Sequence, residues 1–114
     1  MYILIKKALC PTLKHDIVEM IDAKKLHTWS YVEEEERKRL IHVGDDQYQD
    51  VVLRFINTSK DGQQFLKILP SVKLGAKDQK LAKQHFGVVL GRFAELLNCH
   101  FQVIASYETV IAQD

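Results

Sequence analysis

The sequence predicts an α+β fold: an antiparallel or mixed sheet of about four to six strands with two helices packed on one face. Short apolar segments that alternate like strands are separated by two segments with helical periodicity. Hydrophobic residues make up 46% and charged residues 27% of the chain, as in ordinary globular domains. No repeat, low-complexity segment or linker divides the 114 residues, so we expect a single domain over 1–114.

The first two elements are predicted to be a strand and a helix. Residues 2–9 are apolar and rich enough in β-branched side chains to predict a strand, which Pro11 ends. Thr12 opens a helical pattern that continues to about residue 25. The apolar face of this helix would hold Leu13, Ile17, Met20 and Ile21.

The next segment has two interpretations. Residues 27–32 and 40–43 favour strands, whereas the run EEEERKR between them lacks a turn residue and has high helix propensity. One interpretation is a strand, a charged solvated tip and a second strand. The other is a helix with Ser30 as N-cap and Gly44 as its stop. We prefer the strands, because a helix through the charged run would carry a poor apolar stripe.

A second hairpin is predicted after the turn at Gly44. Residues 48–57 alternate between apolar faces, and residues 59–62 carry a hairpin signal ending in Asp-Gly. Residues 65–69 then return as the partner strand, which Pro70 closes.

The clearest helix is predicted over residues 78–98, and a final strand over residues 101–107. The helix has one broad apolar stripe of Phe86, Val89, Leu90, Phe93, Leu96 and Leu97. This order of elements favours a ferredoxin-like or related βαβββαβ sandwich, in which the first and last strands are antiparallel neighbours.

Charge and hydropathy exclude several function classes. The net charge of +1 argues against a dedicated nucleic-acid binder, and no apolar stretch approaches the length of a membrane span. The N-terminal MYILIKKALC has too short an apolar run for an export signal. We therefore expect a cytoplasmic protein whose Cys10 and Cys99 are reduced thiols.

No cofactor, metal site or catalytic residue is predicted. The cysteines could meet at one sheet edge with His15 and His100, but the short spacing typical of zinc ligands is absent. The carboxylates of the segment 45–50 fit a plain turn, and the adjacent strands lack the further carboxylate that a metal-dependent nuclease would need.

Two features favour a protein-interaction module. The acidic run followed by basic residues could dock a basic partner, and two glycines on one face of the long helix suggest close packing. Packing within the domain is the default for those glycines, so Gly91→Leu is expected to be destabilising, and a homodimer is the other possibility. The interaction residues would be Glu33, Glu34, Glu35, Glu36, Arg37, Gly87 and Gly91.

The resulting hypothesis is a non-enzymatic protein-interaction or binding module that can homodimerise. The alternative is a small-molecule-binding domain with a pocket between sheet and helices, since aromatic groups often line such pockets. Its pocket residues would be Trp29, Tyr31, Tyr48 and Phe86. A metal-dependent enzyme is the third possibility.

Overall fold

The structure, a computed structural model, describes residues 1–102 and 107–110 of the chain. Short 3₁₀ turns lie at Lys7–Leu9 and Asp46–Tyr48. In chain order the elements are β1 (Tyr2–Lys6), α1 (Leu13–Asp22), β2 (Trp29–Glu34), β3 (Arg37–His42), β4 (Val51–Lys60), β5 (Gln63–Val72), α2 (Gln79–Gln84), α3 (Phe86–Phe101) and β6 (Tyr107–Val110).

The strands form one six-stranded sheet in the order β2-β3-β4-β5-β1-β6, with every neighbouring pair antiparallel. The predicted α+β class and antiparallel sheet are confirmed. β1 lies between β5 and β6, and its Ile3 pairs with Ile68 on one side and with Thr109 on the other. Strands β2 to β5 form a meander of four strands. The ferredoxin-like βαββαβ pattern has a hairpin of two strands at this place.

The core lies between one face of the sheet and the helices. Alternation in the strands places one set of apolar side chains on this face, and the apolar stripes of α1 and α3 cover it. Its fully buried members include Ile3, Ile5, Ile17, Leu40, Val51, Leu53, Ile68, Val89, Phe93 and Leu97. No helix in the described part of the chain is long and apolar enough to cross a membrane.

The opposite face of the sheet is also partly covered. Val52 is fully buried and Arg39 and Ile41 are nearly so, although alternation places them opposite the core residues of their strands. Nearby, the Glu34 carboxylate accepts a hydrogen bond of 2.8 Å from the backbone N–H of Leu74. The segment after β5 is therefore tied to β2.

The charged run forms a hairpin, so the strand interpretation is confirmed. The strands extend into the run, however, and only Glu35 and Glu36 form the turn. The acidic strand end pairs with the basic one, because Glu33 is opposite Lys38 and Glu34 is opposite Arg37. The run therefore lies largely in the strand ladder, and five of its seven residues are exposed, as the predicted solvated tip requires.

The single long helix predicted over residues 78–98 is wrong, because the structure has two helices that meet at His85. The His85 N–H donates to the Ala82 carbonyl three residues back, which tightens and ends α2, and the Val89 N–H then donates to the His85 carbonyl to begin α3. At this break the His85 ring lies edge-on to Tyr48 at 5.0 Å.

Three predicted boundaries also differ. β1 ends at Lys6, before a 3₁₀ turn, and Pro70 lies inside β5 rather than closing it. The β1–β5 ladder stops at Ile68, so at Pro70 the strand is paired with β4 alone, where a missing N–H is tolerated. Phe101 belongs to α3, whereas the predicted strand residues 103–106 lie outside the described residues.

Candidate functional site: a groove beside His42

An open groove of about 540 Å³ lies between the loop that leads from α1 into β2, the end of β3, the following turn and α3. We call it the His42 groove. The residues on which its chemistry depends are Trp29, His42, Asp45, Arg92, Glu95 and Cys99.

The β2–β3 ladder positions the centre of the groove. Trp29 is directly opposite His42 in the register, and both side chains are buried, at 4% and 6% exposure. Their rings meet edge to face at 5.0 Å, and the other side of Trp29 packs on Phe93 of α3 at 5.6 Å. Such edge-to-face contacts fix ring orientation, so the His42 imidazole is held in one place.

The turn after β3 forms a second wall of the groove. Asp45 caps the 3₁₀ turn, because its carboxylate accepts hydrogen bonds from the backbone N–H and the side-chain amide of Gln47 at 3.2 and 3.0 Å. Gly44 lies so close to the imidazole that a Cβ there would be 3.0 Å from His42 Cε1 and 3.1 Å from Thr28 Cγ2. A glycine lets this turn approach the His42 ring.

The His42 ring carries an unpaired buried nitrogen. Its Nδ1 is buried and has no hydrogen-bond partner among the described residues. Burial, aided by the positive charge of Arg92, lowers the pKa of His42, and the carboxylates of Asp45 and Glu95 oppose this only in part. The imidazole is therefore neutral near pH 7 and can offer Nδ1 either as donor or as acceptor.

Besides Lys25, the groove is lined by the cation Arg92. It is exposed on α3 one helical turn before Glu95, with which it shares a helix face. In the described part of the chain it forms no ion pair. Its guanidinium donors are therefore available to a bound molecule.

The four residues predicted to line a pocket do not all lie together. Trp29 lines the groove, and Tyr48 packs against His42 with ring centroids 6.2 Å apart. Tyr31 instead donates a hydrogen bond of 2.7 Å from its hydroxyl to Asp22 of α1, and Phe86 packs on the core. Two of the four predicted residues are thus neighbours of His42, whereas no sequence pattern pointed to His42 or Arg92.

The predicted interaction residues lie in two other places. Glu36 and Arg37 line a separate groove beside α1, while Glu33 and Glu35 are exposed. Gly87 and Gly91 are exposed on α3; a Cβ at Gly87 would lie 3.4 Å from the Met1 side chain, whereas one at Gly91 would have no atom of the described residues within 4 Å. Close packing of Gly91 within the domain, expected from the sequence, is therefore wrong.

The two cysteines lie in different surroundings, and both are free thiols. Cys99 is exposed in the His42 groove, whereas Cys10 is half-buried near Asp16. Burial and the Asp16 charge raise the pKa of Cys10, so this thiol stays protonated near pH 7. Among the described residues, no group of three or more His, Cys, Asp or Glu side chains is placed to hold a metal ion.

Comparisons with protein-family models, with curated proteins and with solved structures give no match to this chain. The function has to be inferred from the geometry of the chain itself.

Proposed function

We propose that the protein is a non-enzymatic binding module whose site for a small polar molecule is the His42 groove. The observation that carries this proposal is a groove of about 540 Å³ that brings the Trp29 and His42 rings together with Arg92, Asp45 and Glu95. The buried Nδ1 of His42 has no partner among the described residues, and such an atom costs about 1–3 kcal/mol. The groove is of a size that small ligands occupy.

The charges of the groove favour a ligand without a large net charge. Arg92 offers donors to an anionic or carbonyl group, while Asp45 and Glu95 offer acceptors to an amine or hydroxyl group. A molecule that carries both kinds of group, such as a zwitterion or a polar neutral compound, satisfies more of these atoms than a simple ion does.

The surroundings of His42 support a binding role, because they hold the imidazole in a fixed position. No described residue bonds to His42 Nδ1, and the ring is held by the aromatic contacts instead. The cytoplasmic location expected from the sequence belongs to the same proposal, and the two free thiols support it.

The test is a screen of free amino acids, short amides and monosaccharides against the isotope-labelled protein, followed by NMR. We expect at least one compound to shift the resonances of Trp29, His42 and Arg92 together. Arg92→Gln should weaken that binding about tenfold, as the loss of a charge-assisted hydrogen bond does.

The matched control is Lys80→Gln, which removes an exposed cation on α2 outside the groove and should leave binding unchanged. The proposal fails if every compound that binds shifts residues elsewhere, or if the two variants weaken binding equally.

Self-association is a second candidate, and it belongs with the interaction module expected from the sequence. Gly91 faces outward on the same helix as Val88, which is 41% exposed, and the exposed Gly87 lies against the Met1 side chain. Glycines inside a helix are unfavourable, and packing within the domain does not account for Gly91. Sedimentation over a hundredfold concentration range tests this candidate, and a mass that stays that of a monomer rules it out.

A further inference from the structure

A second groove, separate from the His42 groove, lies between the start of α1, the tip of the β2–β3 hairpin and the β4–β5 strands. Its volume is about 690 Å³, and we call it the basic groove. The residues on which its chemistry depends are Lys7, Lys14, Glu36, Arg37, Lys38 and Phe55.

Positive charge is concentrated in the basic groove although the whole chain has a net charge of only +1. Four cationic side chains, Lys7, Lys14, Arg37 and Lys38, line it with the single carboxylate of Glu36. Among the described residues, none of the four forms an ion pair. Glu34, the cross-strand neighbour of Arg37, directs its carboxylate to the Leu74 N–H instead.

Lys14 shows the effect of this crowding. Burial lowers its pKa first, and the like charges of Arg39, Arg37 and Lys38 lower it further. Like-charge repulsion of this kind is relieved when an anion binds between the cations. At the start of α1 the Thr12 hydroxyl donates to the Asp16 carboxylate, which lies in the first helical turn and offsets the positive end of the helix dipole.

The floor of the basic groove is apolar. Phe55 and Leu66 line it from neighbouring strands, and the Lys14 ammonium lies 5.9 Å from the centroid of the Phe55 ring. A ligand with a negative group at one end and a flat or apolar body at the other can contact both the cations and this floor. The cavity volume is within the range of small-molecule sites, whereas a nucleic acid needs a longer basic surface.

We propose that the basic groove binds a phosphate-bearing small molecule, with the phosphate against Lys14, Arg37 and Lys38 and the apolar part against Phe55 and Leu66. Phosphate fits this set because arginine binds it through two parallel hydrogen bonds and lysine through a point charge. The site does not depend on the His42 groove, so either proposal can fail alone.

The test is calorimetric titration of the full chain with adenosine monophosphate, pyrophosphate and adenosine at low salt. We expect the two phosphate compounds to bind and adenosine not to bind. Added sodium chloride should weaken phosphate binding, because the contacts are between charges. Lys14→Gln should weaken adenosine monophosphate binding about tenfold, and Lys80→Gln should leave it unchanged.

Four results would overturn the proposal: adenosine that binds as tightly as its monophosphate, phosphate binding that ignores salt, Lys14→Gln without effect, or Lys80→Gln with an equal effect. A 12-nucleotide RNA that binds ten times more tightly than the monophosphate would assign the groove to nucleic acid instead. If Lys14→Gln does not fold, as judged by circular dichroism, Lys38→Gln on the exposed hairpin replaces it with the same expectation.

Discussion

At the scale of single residues, His42 and the glycines of α3 show opposite relations to their surroundings. His42 is almost fully buried, yet one of its ring nitrogens has no hydrogen-bond partner in the described part of the chain. Gly91 is exposed in a helix and has empty space where a side chain would be. Each of these two features costs folding free energy that another residue at the same position would not cost. Binding of a ligand or of a partner would explain why the residue is kept.

The lowered pKa of His42 makes stability depend on pH. In the unfolded chain a histidine titrates near pH 6.5. Below that pH the unfolded state binds a proton at His42, whereas the folded state does so only at lower pH. The free energy of unfolding should therefore fall as the pH drops from 7 toward the lower pKa of the folded state. His42→Phe should remove this part of the pH dependence, measured by urea denaturation at pH 7 and pH 5.

The companion variant His42→Gln also cannot titrate, so it should lose the same pH dependence. It keeps a polar group in a buried position, however, and should be less stable than His42→Phe at pH 7. A pH dependence that survives in both variants would contradict the assignment to His42.

Gly91→Ala should stabilise the protein by about 1 kcal/mol, because alanine is favoured over glycine inside a helix and its Cβ meets nothing. The matched control is Gly62→Ala, which also points into open space but has a φ of +80°. That variant should lose about 1 kcal/mol, because a side chain disfavours the left-handed conformation. Urea denaturation of both variants checks the pair, and a destabilised Gly91→Ala would mean that α3 is packed there after all.

At the scale of elements, the two hairpins have turns of similar backbone conformation but with different residues. Both turns have positive φ at their two central residues: 53° and 64° at Glu35 and Glu36, and 52° and 80° at Asp61 and Gly62. Asp-Gly is a favoured pair for such a turn, whereas glutamate has no special tolerance for it. The β2–β3 turn is therefore held in place by its strands rather than by its own residues.

Replacing this turn by the double substitution Glu35→Asn and Glu36→Gly should stabilise the protein by about 1–2 kcal/mol, since it removes two strained side chains. Thermal unfolding gives the measurement. The control is Asp61→Asn in the other hairpin, which exchanges one suitable turn residue for another and should change little. A neutral or destabilising double substitution would show that the glutamates contribute to the hairpin in another way.

The helix break and the hairpin turn show what local sequence can and cannot predict. The strands of the β2–β3 hairpin were predictable from their apolar, β-branched ends, but the turn was not, because EEEERKR contains no turn residue. The helical pattern of residues 78–98 continues across His85, so periodicity predicted one helix. The break accompanies the contact of His85 with Tyr48, which only the folded chain brings together.

At the scale of the whole molecule, the predicted class and antiparallel sheet were correct because alternation and turn residues are local signals. The two grooves were not predictable, because each joins elements far apart in the sequence. The His42 groove needs the β2–β3 register and the packing of α3, and the basic groove needs the start of α1 beside the hairpin tip. Only Trp29 and Tyr48, named as candidates from their aromatic character, lie beside His42.

The position of β6 predicts a strong effect of shortening the chain. β6 pairs with β1 over Tyr107–Val110, and without it β1 would become an edge strand with unpaired backbone groups. A chain that ends at Gln102 should melt lower by at least about 4–8 °C, the effect of losing 1 kcal/mol in a domain of this size, and should aggregate. A chain that ends at Val110 keeps the strand and should melt like the parent, and equal melting of both would mean that β6 contributes nothing.

The central place of β1 has a consequence for synthesis on the ribosome. β1 is made before both of the strands that it pairs with, because its Ile3 pairs with Ile68 and with Thr109. Within the β2–β5 meander each strand pairs with the next one along the chain, so these pairs can form while translation continues. During that time the apolar β1 lacks at least one of its partners, so a newly made chain should be prone to aggregation until β6 has been made.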